Sequence, residues 1–294
     1  MKNVINYYYN LYPENIFQNK DEYYFFINNI RYTFIEYKED IKEIEKIYNI
    51  HLNMLRKNIY VHPIILNKDG KPLTMIKEKP YLLMQTVYYG EKLNFQSIIS
   101  FLSVDLGINK ENSWEELWKN KNDYIEYQIN LLENNYKLLK KSIYYYLGLG
   151  ETAIELLNIT RPINIKMHYS HKRIDKNSTS FDLYNPLNII IDTKVRDIAE
   201  YLKQNFFKGE DIEKDLKYFF QASNLSPEEH ILFLARMLYP TYYYDLLEKI
   251  LKKEKEEKEI INIINKVDEY ENIIKKLYKY YKTLINIPTI EWLE

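Results

Sequence analysis

The residue types that could carry out chemistry are concentrated between positions 168 and 197. Asp192 follows three consecutive isoleucines, so its carboxylate stands at the end of a short apolar run, where it could bind Mg²⁺. His168 and His171 are three residues apart, but two histidines without an acidic third ligand at a fixed spacing are a poor indication of zinc. Asp192 is therefore the first candidate in this segment for binding a hard cation.

A lone carboxylate binds Mg²⁺ weakly, so the interpretation depends on what stands near Asp192. Asn177 and Asn188 are the nearest amide candidates for a second ligand. The competing interpretation, which we favour, is that Asp192 caps a helix or forms an ion pair with Lys194 or Arg196. We therefore expect no metal site, and Asp192 is the residue to test if one exists.

The composition argues against several classes of function. The chain has no cysteine and only 6 glycines, and its sequence contains no Walker loop, dinucleotide-binding glycine motif, nucleophile elbow or H-E-x-x-H motif. Its 41 basic and 42 acidic residues leave no basic excess, so we expect no nucleic-acid partner. The sequence begins without an apolar signal segment and contains no long apolar run, so we expect a protein kept inside its cell, without a membrane span.

Tyrosine is unusually abundant, with 31 residues in the chain. Triplets begin at Tyr7, Tyr144 and Tyr242, and three consecutive rings cannot all lie on one face of a helix. We therefore expect exposed phenols among them, which favours a surface that binds other molecules or is cross-linked. An AT-rich genome would also produce this composition, and both explanations stay open.

Strand patterns dominate the first ninety residues. Residues 23–27 and 30–37 are β-branched and aromatic runs, separated by an Asn-Asn pair that suits a two-residue hairpin. Apolar residues then recur at helical spacing over residues 39–57. Further strands are predicted over residues 61–66, 73–76 and 81–88.

Helical patterns dominate the rest. Helices are predicted over residues 95–106, from a cap at Ser113 to about 146 with a break at Gly148–Gly150, and over 151–157, 195–206, 211–222 and 227–237. Short strands at 163–167 and 187–191 flank a polar loop at 172–182. The mixed-charge run 252–259 is interpreted as a solvated helix surface, and the apolar stripe from Ile263 to Tyr281 as a helix packed on its own domain, with coiled-coil dimerisation as the alternative.

These patterns predict an α+β, bilobal protein. Residues 1–89 form a small β-rich lobe, and residues 90–294 form a large helical lobe with a short β-loop-β insert at 163–192. Bilobal kinases have this order of elements.

Short motifs in this order resemble the YutH-type endospore-coat-associated proteins, a divergent branch of the CotS and aminoglycoside/choline phosphotransferase-like kinases. The motifs that carry the resemblance are Tyr7-Tyr-Tyr-Asn-Leu-Tyr-Pro13, Tyr23-Tyr-Phe-Phe26, His171-Lys-Arg-Ile174, Tyr184-Asn-Pro186, Ile191-Asp-Thr-Lys-Val-Arg-Asp-Ile-Ala-Glu-Tyr-Leu202, Leu238-Tyr-Pro240 and Ile287-Pro-Thr-Ile-Glu-Trp-Leu293. The resemblance covers nearly the whole chain and implies an aminoglycoside phosphotransferase-like kinase fold.

The resemblance also implies where the catalytic parts would stand, and several are missing. No glycine lies before Asp69, so no glycine-rich loop can cover a phosphate. The strand at 30–37 has Arg31 but no lysine before Lys38, and Glu43 and Glu45 of the next helix look like a solvated face.

The expected catalytic loop is His171-Lys172-Arg173, in which an arginine replaces the aspartate that active relatives carry. Because a guanidinium cannot accept a proton, we expect no catalytic residue, with Asp175 as the fallback base.

The resemblance further makes Asp192 the counterpart of the metal-binding aspartate. It gives Asp197, with Arg196 beside it, a structural role in bracing the degenerate loop.

The leading hypothesis is a non-catalytic kinase-fold protein, a pseudokinase, that is a structural or interaction component of the bacterial endospore coat. It would be made in the mother-cell cytoplasm, would then enter the coat, would bind other coat proteins and would need no cofactor. The alternative is an active small-molecule kinase that uses Mg-ATP through a remodelled loop. A third possibility is a module that dimerises through its C-terminal stripe.

Overall fold

The computed structural model describes residues 1–19, 22–102, 105–111, 114–132, 136–159, 164–175 and 177–294. In chain order the elements are α1 Lys2–Tyr9, β1 Phe17–Asn19, β2 Glu22–Ile27, β3 Ile30–Glu36, α2 Ile44–Arg56, β4 Ile64–Ile65, β5 Leu73–Ile76, β6 Lys79–Thr86, α3 Phe95–Leu102, β7 Asp105–Glu111, α4 Trp114–Asn130, α5 Lys137–Ile159, β8 Asn164–His171, α6 Ser180–Tyr184, β9 Ile189–Asp192, α7 Lys194–Phe207, α8 Glu213–Ala222, α9 Pro227–Leu238, α10 Thr241–Leu251, α11 Ile261–Ile264 and α12 Val267–Leu284. Short 3-10 helices cover Ile41–Glu43, Pro186–Asn188, Glu257–Ile260 and Glu291–Leu293.

The chain divides into two compact units, and the predicted α+β class is confirmed. The first unit comprises Met1–Leu93 and Asn177–Ile190, and the second comprises Asn94–Lys176 and Ile191–Glu294. Backbone hydrogen bonds hold the inserted segment within the first unit, from the amide of Leu93 to the carbonyl of Ser178 and from the amide of His62 to the carbonyl of Tyr184.

The first unit is built on an antiparallel sheet in the order β1-β2-β3-β6-β4, with β5 also paired to β6. The predicted hairpin is confirmed: Asn28 and Asn29 have φ values of 50° and 64°, and β2 pairs with β3 on either side of them. Consecutive residues of β6 enter two different cores, because side chains alternate across a strand. Leu83 packs in the core that contains α1, and Leu82 packs in the core that contains α2.

Helix α1 was not predicted. Its run of tyrosines and asparagines has weak helix propensity, but Ile5 and Tyr9 are buried against Phe25 and Phe34 of the sheet. Tertiary burial therefore stabilises a helix that local propensity does not favour. Strand β4 is also shorter than its predicted span, since only Ile64 and Ile65 pair with β6.

Gly148 and Gly150 were expected to break a helix, and that expectation was wrong. Helix α5 continues through Gly148 and Gly150. A Cβ built on Gly150 would lie only 2.7 Å from the side-chain amide of Asn122 in α4. Gly150 therefore permits the close approach of α4 and α5.

The break in this region falls elsewhere. Helix α4 ends at Asn130 and α5 begins at Lys137, within the run expected to be continuous, and the predicted cap Ser113 lies outside the described residues. The predicted helix 95–106 ends at Leu102, and β7 follows and pairs with β8. Ile163, the first residue of the predicted strand 163–167, also lies outside the described residues. Strand β9 completes this small sheet in the order β7-β8-β9.

The C-terminal stripe packs within its own unit, as favoured. Tyr270, Ile274, Leu277 and Tyr281 are all buried on α12. The charged run before it is not an α-helix: a turn with Lys253 at φ 60° leads into the 3-10 helix Glu257–Ile260. Over the described residues, no helix is long and apolar enough to cross a membrane.

The tyrosine triplets differ in their burial. Tyr7 and Tyr144 are 64% and 61% exposed, as predicted for two of the triplets. The third triplet contradicts the prediction, because Tyr242, Tyr243 and Tyr244 are all buried. Helix α10 is covered on several sides: the ring of Tyr242 stacks on Phe207 at 3.8 Å and that of Tyr243 stacks on Tyr146 at 3.7 Å.

Candidate functional site

Three of the residues singled out between 168 and 197, His171, Asp192 and Asp197, lie around the end of β8 and the start of α7. His171 is the last residue of β8, and Asp197 stands in the first turn of α7, where a carboxylate is favoured by the helix dipole. The backbone amide of His171 donates to Asp197 Oδ1 at 3.0 Å, and His171 Nδ1 lies 2.6 Å from Asp197 Oδ2. Both side chains are buried. Asp197 therefore holds both the backbone and the ring at the end of β8.

Arg173 stands where the resemblance places the catalytic base. Its guanidinium donates to Asp245 of α10 at 2.8 Å, and its side chain is 67% exposed. Burial raises the pKa of Asp245, and the nearby Arg173 opposes that rise. The position thus presents a cation that cannot take up a proton.

Lys172 and Asp175, on either side of Arg173, offer no free base either. Lys172 is half-buried and brings a second positive charge next to Arg173. Asp175, the fallback base, forms an ion pair with Lys208 at the C-terminal end of α7. Its carboxylate is already engaged by an ammonium group.

Asp192 is the most heavily engaged carboxylate of the site. Its Oδ1 accepts from the backbone amide of Thr193 at 2.7 Å and from Arg236 Nη2 at 2.8 Å, and its Oδ2 accepts from Arg196 Nη1 at 2.8 Å. Burial acts to raise the pKa of Asp192, but Arg236 and Arg196 outweigh it, so the pKa is lowered. The predicted ion pair with Arg196 is present, and Arg236 adds a second one.

Arg236 was missed by the sequence analysis. It comes from α9, 44 residues from Asp192, and its guanidinium carbon lies 5.6 Å and 5.9 Å from the ring centroids of Trp114 and Trp118. Burial lowers its pKa and Asp192 opposes that shift. The usable clue was a single arginine within the apolar run of residues 231–238, since a buried cation needs a carboxylate.

A buried lysine behind Arg236 was also missed. Lys203 of α7 donates to the carbonyls of Arg236 and Tyr239 and to Thr241 Oγ1, and it pairs with Glu200 at 2.9 Å. It therefore satisfies carbonyls at the C-terminal end of α9 and fixes that helix against α7. Burial lowers the pKa of Lys203, and Glu200 opposes that shift.

The two histidines of β8 do not form a metal site with each other. His168 and His171 are three residues apart on a strand, so their side chains point to opposite faces. Within the described part of the chain, no three histidine or carboxylate side chains converge as metal ligands would.

In the first unit, Arg31 of β3 forms its ion pair within the sheet. It pairs with Glu22 at 3.2 Å and lies 4.4 Å from the ring centroids of both Tyr24 and Tyr89. Glu43 and Glu45 are exposed, as expected of a solvated face. Asn188, one of the two candidate metal ligands, donates to the carbonyl of Asp182 at 3.1 Å, and Asn177 is exposed.

Mg-ATP, the cofactor that the fold implies, does not fit these residues. The carboxylate available for a metal is bound by two guanidinium groups, and a cation approaching it would meet two fixed positive charges. The loop position for a base holds Arg173.

Comparison with known proteins places this geometry in a family and a fold. The family described as "Spore coat putative kinase YutH" matches residues 2–284. The endospore coat-associated protein YutH of Bacillus subtilis (strain 168) is 27% identical over 154 residues, which are 46% of this chain and 45% of that protein. The matched region thus spans less than half of the curated relative.

Two solved structures share the fold over almost the whole chain. An aminoglycoside phosphotransferase from Alicyclobacillus acidocaldarius superposes with a TM-score of 0.64 and 11% identity, covering 94% of this chain and 95% of the other. A spectinomycin phosphotransferase in complex with ADP and spectinomycin gives a TM-score of 0.55 and 12% identity, covering 97% and 93%. The fold is therefore that of the aminoglycoside phosphotransferase-like kinases, and the chain belongs to the YutH family of spore coat proteins.

Proposed function

We propose that this chain is a non-catalytic kinase-fold protein of the bacterial endospore coat that acts by binding other coat proteins. The observation that carries the proposal is the pair of guanidinium groups on Asp192. Both carboxylate oxygens are engaged at 2.8 Å, in a buried setting where ion pairs are hard to break. A magnesium ion would have to displace two arginines, one of which is 5% exposed.

Two further features support the absence of phosphoryl transfer. Kinase-fold catalysis works by positioning and by neutralising charge on the phosphates, and it needs a carboxylate to orient the nucleophile. Arg173 replaces that carboxylate, and the fallback Asp175 is paired with Lys208. We therefore propose that the chain uses no cofactor and has no catalytic residue.

The curated relative supports the location and the partners that we propose. The relative from Bacillus subtilis is described as associated with the endospore coat, so we propose that this chain is made in the mother-cell cytoplasm and then enters the coat. Exposed aromatic residues such as Tyr7 and Tyr144 support a role in contacting other proteins.

Thermal unfolding with and without millimolar Mg-ATP tests the proposal, with phosphate release measured on the same samples. We expect an unchanged Tm and no phosphate above the blank, with an active aminoglycoside phosphotransferase as the positive control. A ligand at about 100 times its Kd adds roughly 2.7 kcal/mol, which would raise Tm by roughly 5 °C.

The possible contrary results have different meanings. A magnesium-dependent rise in Tm without turnover would contradict the absence of a cofactor and the exclusion of magnesium by Arg196 and Arg236, but not the absence of phosphoryl transfer. Turnover that disappears in Asp175→Asn would establish the alternative, an active small-molecule kinase with a remodelled loop. The substitution is suited to this purpose because Asp175 is partly exposed and its replacement does not disturb a core.

A further inference from the structure

A groove between α8 and α12 of the second unit is a surface feature that the site above does not use. The groove has a volume of about 490 Å³. Its floor is apolar and is formed by Leu216, Phe220, Ile273, Leu277 and Tyr280. The rings of Phe220 and Tyr280 lie 5.5 Å apart at one end, and Tyr280 is 44% exposed. The opposite end is bounded by the ion pair between Glu213 and Lys276 at 3.0 Å.

The groove continues past this ion pair into a second cavity of different character. That cavity has a volume of about 420 Å³ and shares Glu213, Ile273 and Lys276 with the first. Its charged lining residues are Glu210, Asp211, Glu213, Glu269, Lys266 and Lys276. Lys266 donates to the carbonyl of Phe206 and Lys276 pairs with Glu213, so carboxylates are in excess here.

The apolar cavity and the charged cavity together define which kind of ligand fits the groove. One half offers apolar contact, with Lys217 in its lining, and the lining of the other half has four carboxylates against two lysines. Together they follow a stretch of α12 from Glu269 to Tyr280 that is about 16 Å long at the rise of an α-helix. A groove between two helices accepts an amphipathic helix, whose apolar side chains at i, i+3, i+4 and i+7 follow the floor. Acidic groups at one end select a basic residue at the matching end of that helix.

We propose that this groove is the docking site for a partner protein's amphipathic helix that bears apolar residues along one face and an arginine or lysine at one end. The inference rests on the proposed function, because it specifies the chemistry of the partner through which a non-catalytic coat protein would act. It assigns the binding to α8 and α12 and leaves the residues around Asp192 uninvolved.

The test uses the full chain and fluorescent alanine-based helical peptides with leucines along one face. One set has arginines at either end, and a matched set has glutamates at the same positions. We expect the arginine peptides to bind, as measured by fluorescence anisotropy. We expect the glutamate peptides to bind roughly tenfold more weakly or not at all.

Two surface substitutions and their matched controls locate the peptide. Glu269→Lys removes an exposed acid from the groove and is expected to weaken arginine-peptide binding roughly tenfold, whereas Glu126→Lys on α4 leaves it unchanged. Tyr280→Ala removes an exposed ring from the floor and weakens binding, whereas Tyr124→Ala, at a similarly exposed tyrosine of α4, does not.

Three results would overturn the proposal. They are no binding at millimolar peptide, equal effects of the groove variants and their controls, and self-association in sedimentation experiments that Tyr280→Ala abolishes. The last result would assign the groove to a second copy of the chain. Because no nucleotide is present, failure here is distinct from failure of the proposed function, which phosphate release reports.

Discussion

Asp192 and Asp197 are both buried, stand five residues apart in the sequence and are held by different kinds of partner. Asp192 faces two guanidinium groups, which keep their charge at any pH that a protein tolerates. Asp197 faces a backbone amide and the ring of His171.

The hydrogen bonds of Asp197 to His171 join the end of β8 to the start of α7, so they position a loop. Those of Asp192 join the end of β9 to α7 and α9, and they also neutralise its charge. The comparison shows that a carboxylate bound by a backbone amide and a histidine ring and one bound by two guanidinium groups can lie five residues apart.

The largest effect is expected from Asp192→Asn. Removing the carboxylate leaves the buried Arg236 without its counterion, and breaking a buried ion pair in this way costs about 3–5 kcal/mol of unfolding free energy. Urea unfolding monitored by circular dichroism measures it. The added substitution Arg236→Met should recover part of the loss, because it removes the unpaired cation. If Asp192→Asn lost no more unfolding free energy than the removal of an exposed ion pair costs, the result would contradict the pairing of Asp192 with both Arg196 and Arg236.

The pH dependence of the unfolding free energy also tests the difference between Asp192 and Asp197. Because the pKa of Asp192 is lowered in the folded state, its contribution to stability is fully present above the unfolded value of 3.8 and is lost as pH falls through the lower folded value. The stability difference between the wild-type chain and Asp192→Asn should therefore be constant near neutrality and shrink below about pH 4. Urea unfolding at stepped pH values checks this. A difference that shrinks already between pH 7 and 5 would be inconsistent with two arginines on this carboxylate.

A smaller loss is expected from Asp197→Ala. The substitution leaves the buried amide of His171 without its acceptor, which costs about 1–3 kcal/mol. No buried arginine loses its counterion, so the effect should stay below that of Asp192→Asn. Equilibrium unfolding of the two variants side by side makes the comparison, and the reverse order of the two effects would refute it.

The smallest effect is expected from Arg173→Ala. The pair with Asp245 involves a side chain that is 67% exposed, and such pairs contribute about 0–1 kcal/mol. The unfolding midpoint in urea should shift little. Arg173→Asp, which restores a carboxylate at the loop position, should produce no phosphate release, because Asp192 is still bound by its two arginines. Turnover in that variant would show that the arginine at this position alone blocks catalysis.

Local sequence patterns predicted the elements whose stability is local. Asn28 and Asn29 adopt positive φ and form the expected turn, the strand Leu73–Ile76 has its predicted bounds, and the stripe on α12 is buried as its spacing indicated. In each case the relevant contacts repeat over short separations, so a periodic pattern captures them.

The wrong predictions concern residues whose surroundings are set by partners far away in the sequence. Gly150 was interpreted as a helix breaker, but Asn122 of the neighbouring helix requires a residue without a Cβ there. The triplet Tyr242–Tyr244 was expected to expose a phenol, but α10 is surrounded by aromatic rings from α5 and α7. Helix propensity and helical periodicity contain no information about such neighbours.

The sequence by itself determined what is absent from the loop at 171–173. A position occupied by arginine lacks a carboxylate in any fold, so residue type alone determines that Arg173 cannot accept a proton. The sequence also indicated a helix cap at Asp192 or an ion pair of Asp192 with Lys194 or Arg196, and the structure has the ion pair with Arg196. Only the tertiary structure decided that Arg236 binds the same carboxylate from 44 residues away. The packing of α9 against α7, fixed by the buried Lys203, brings those two charges together.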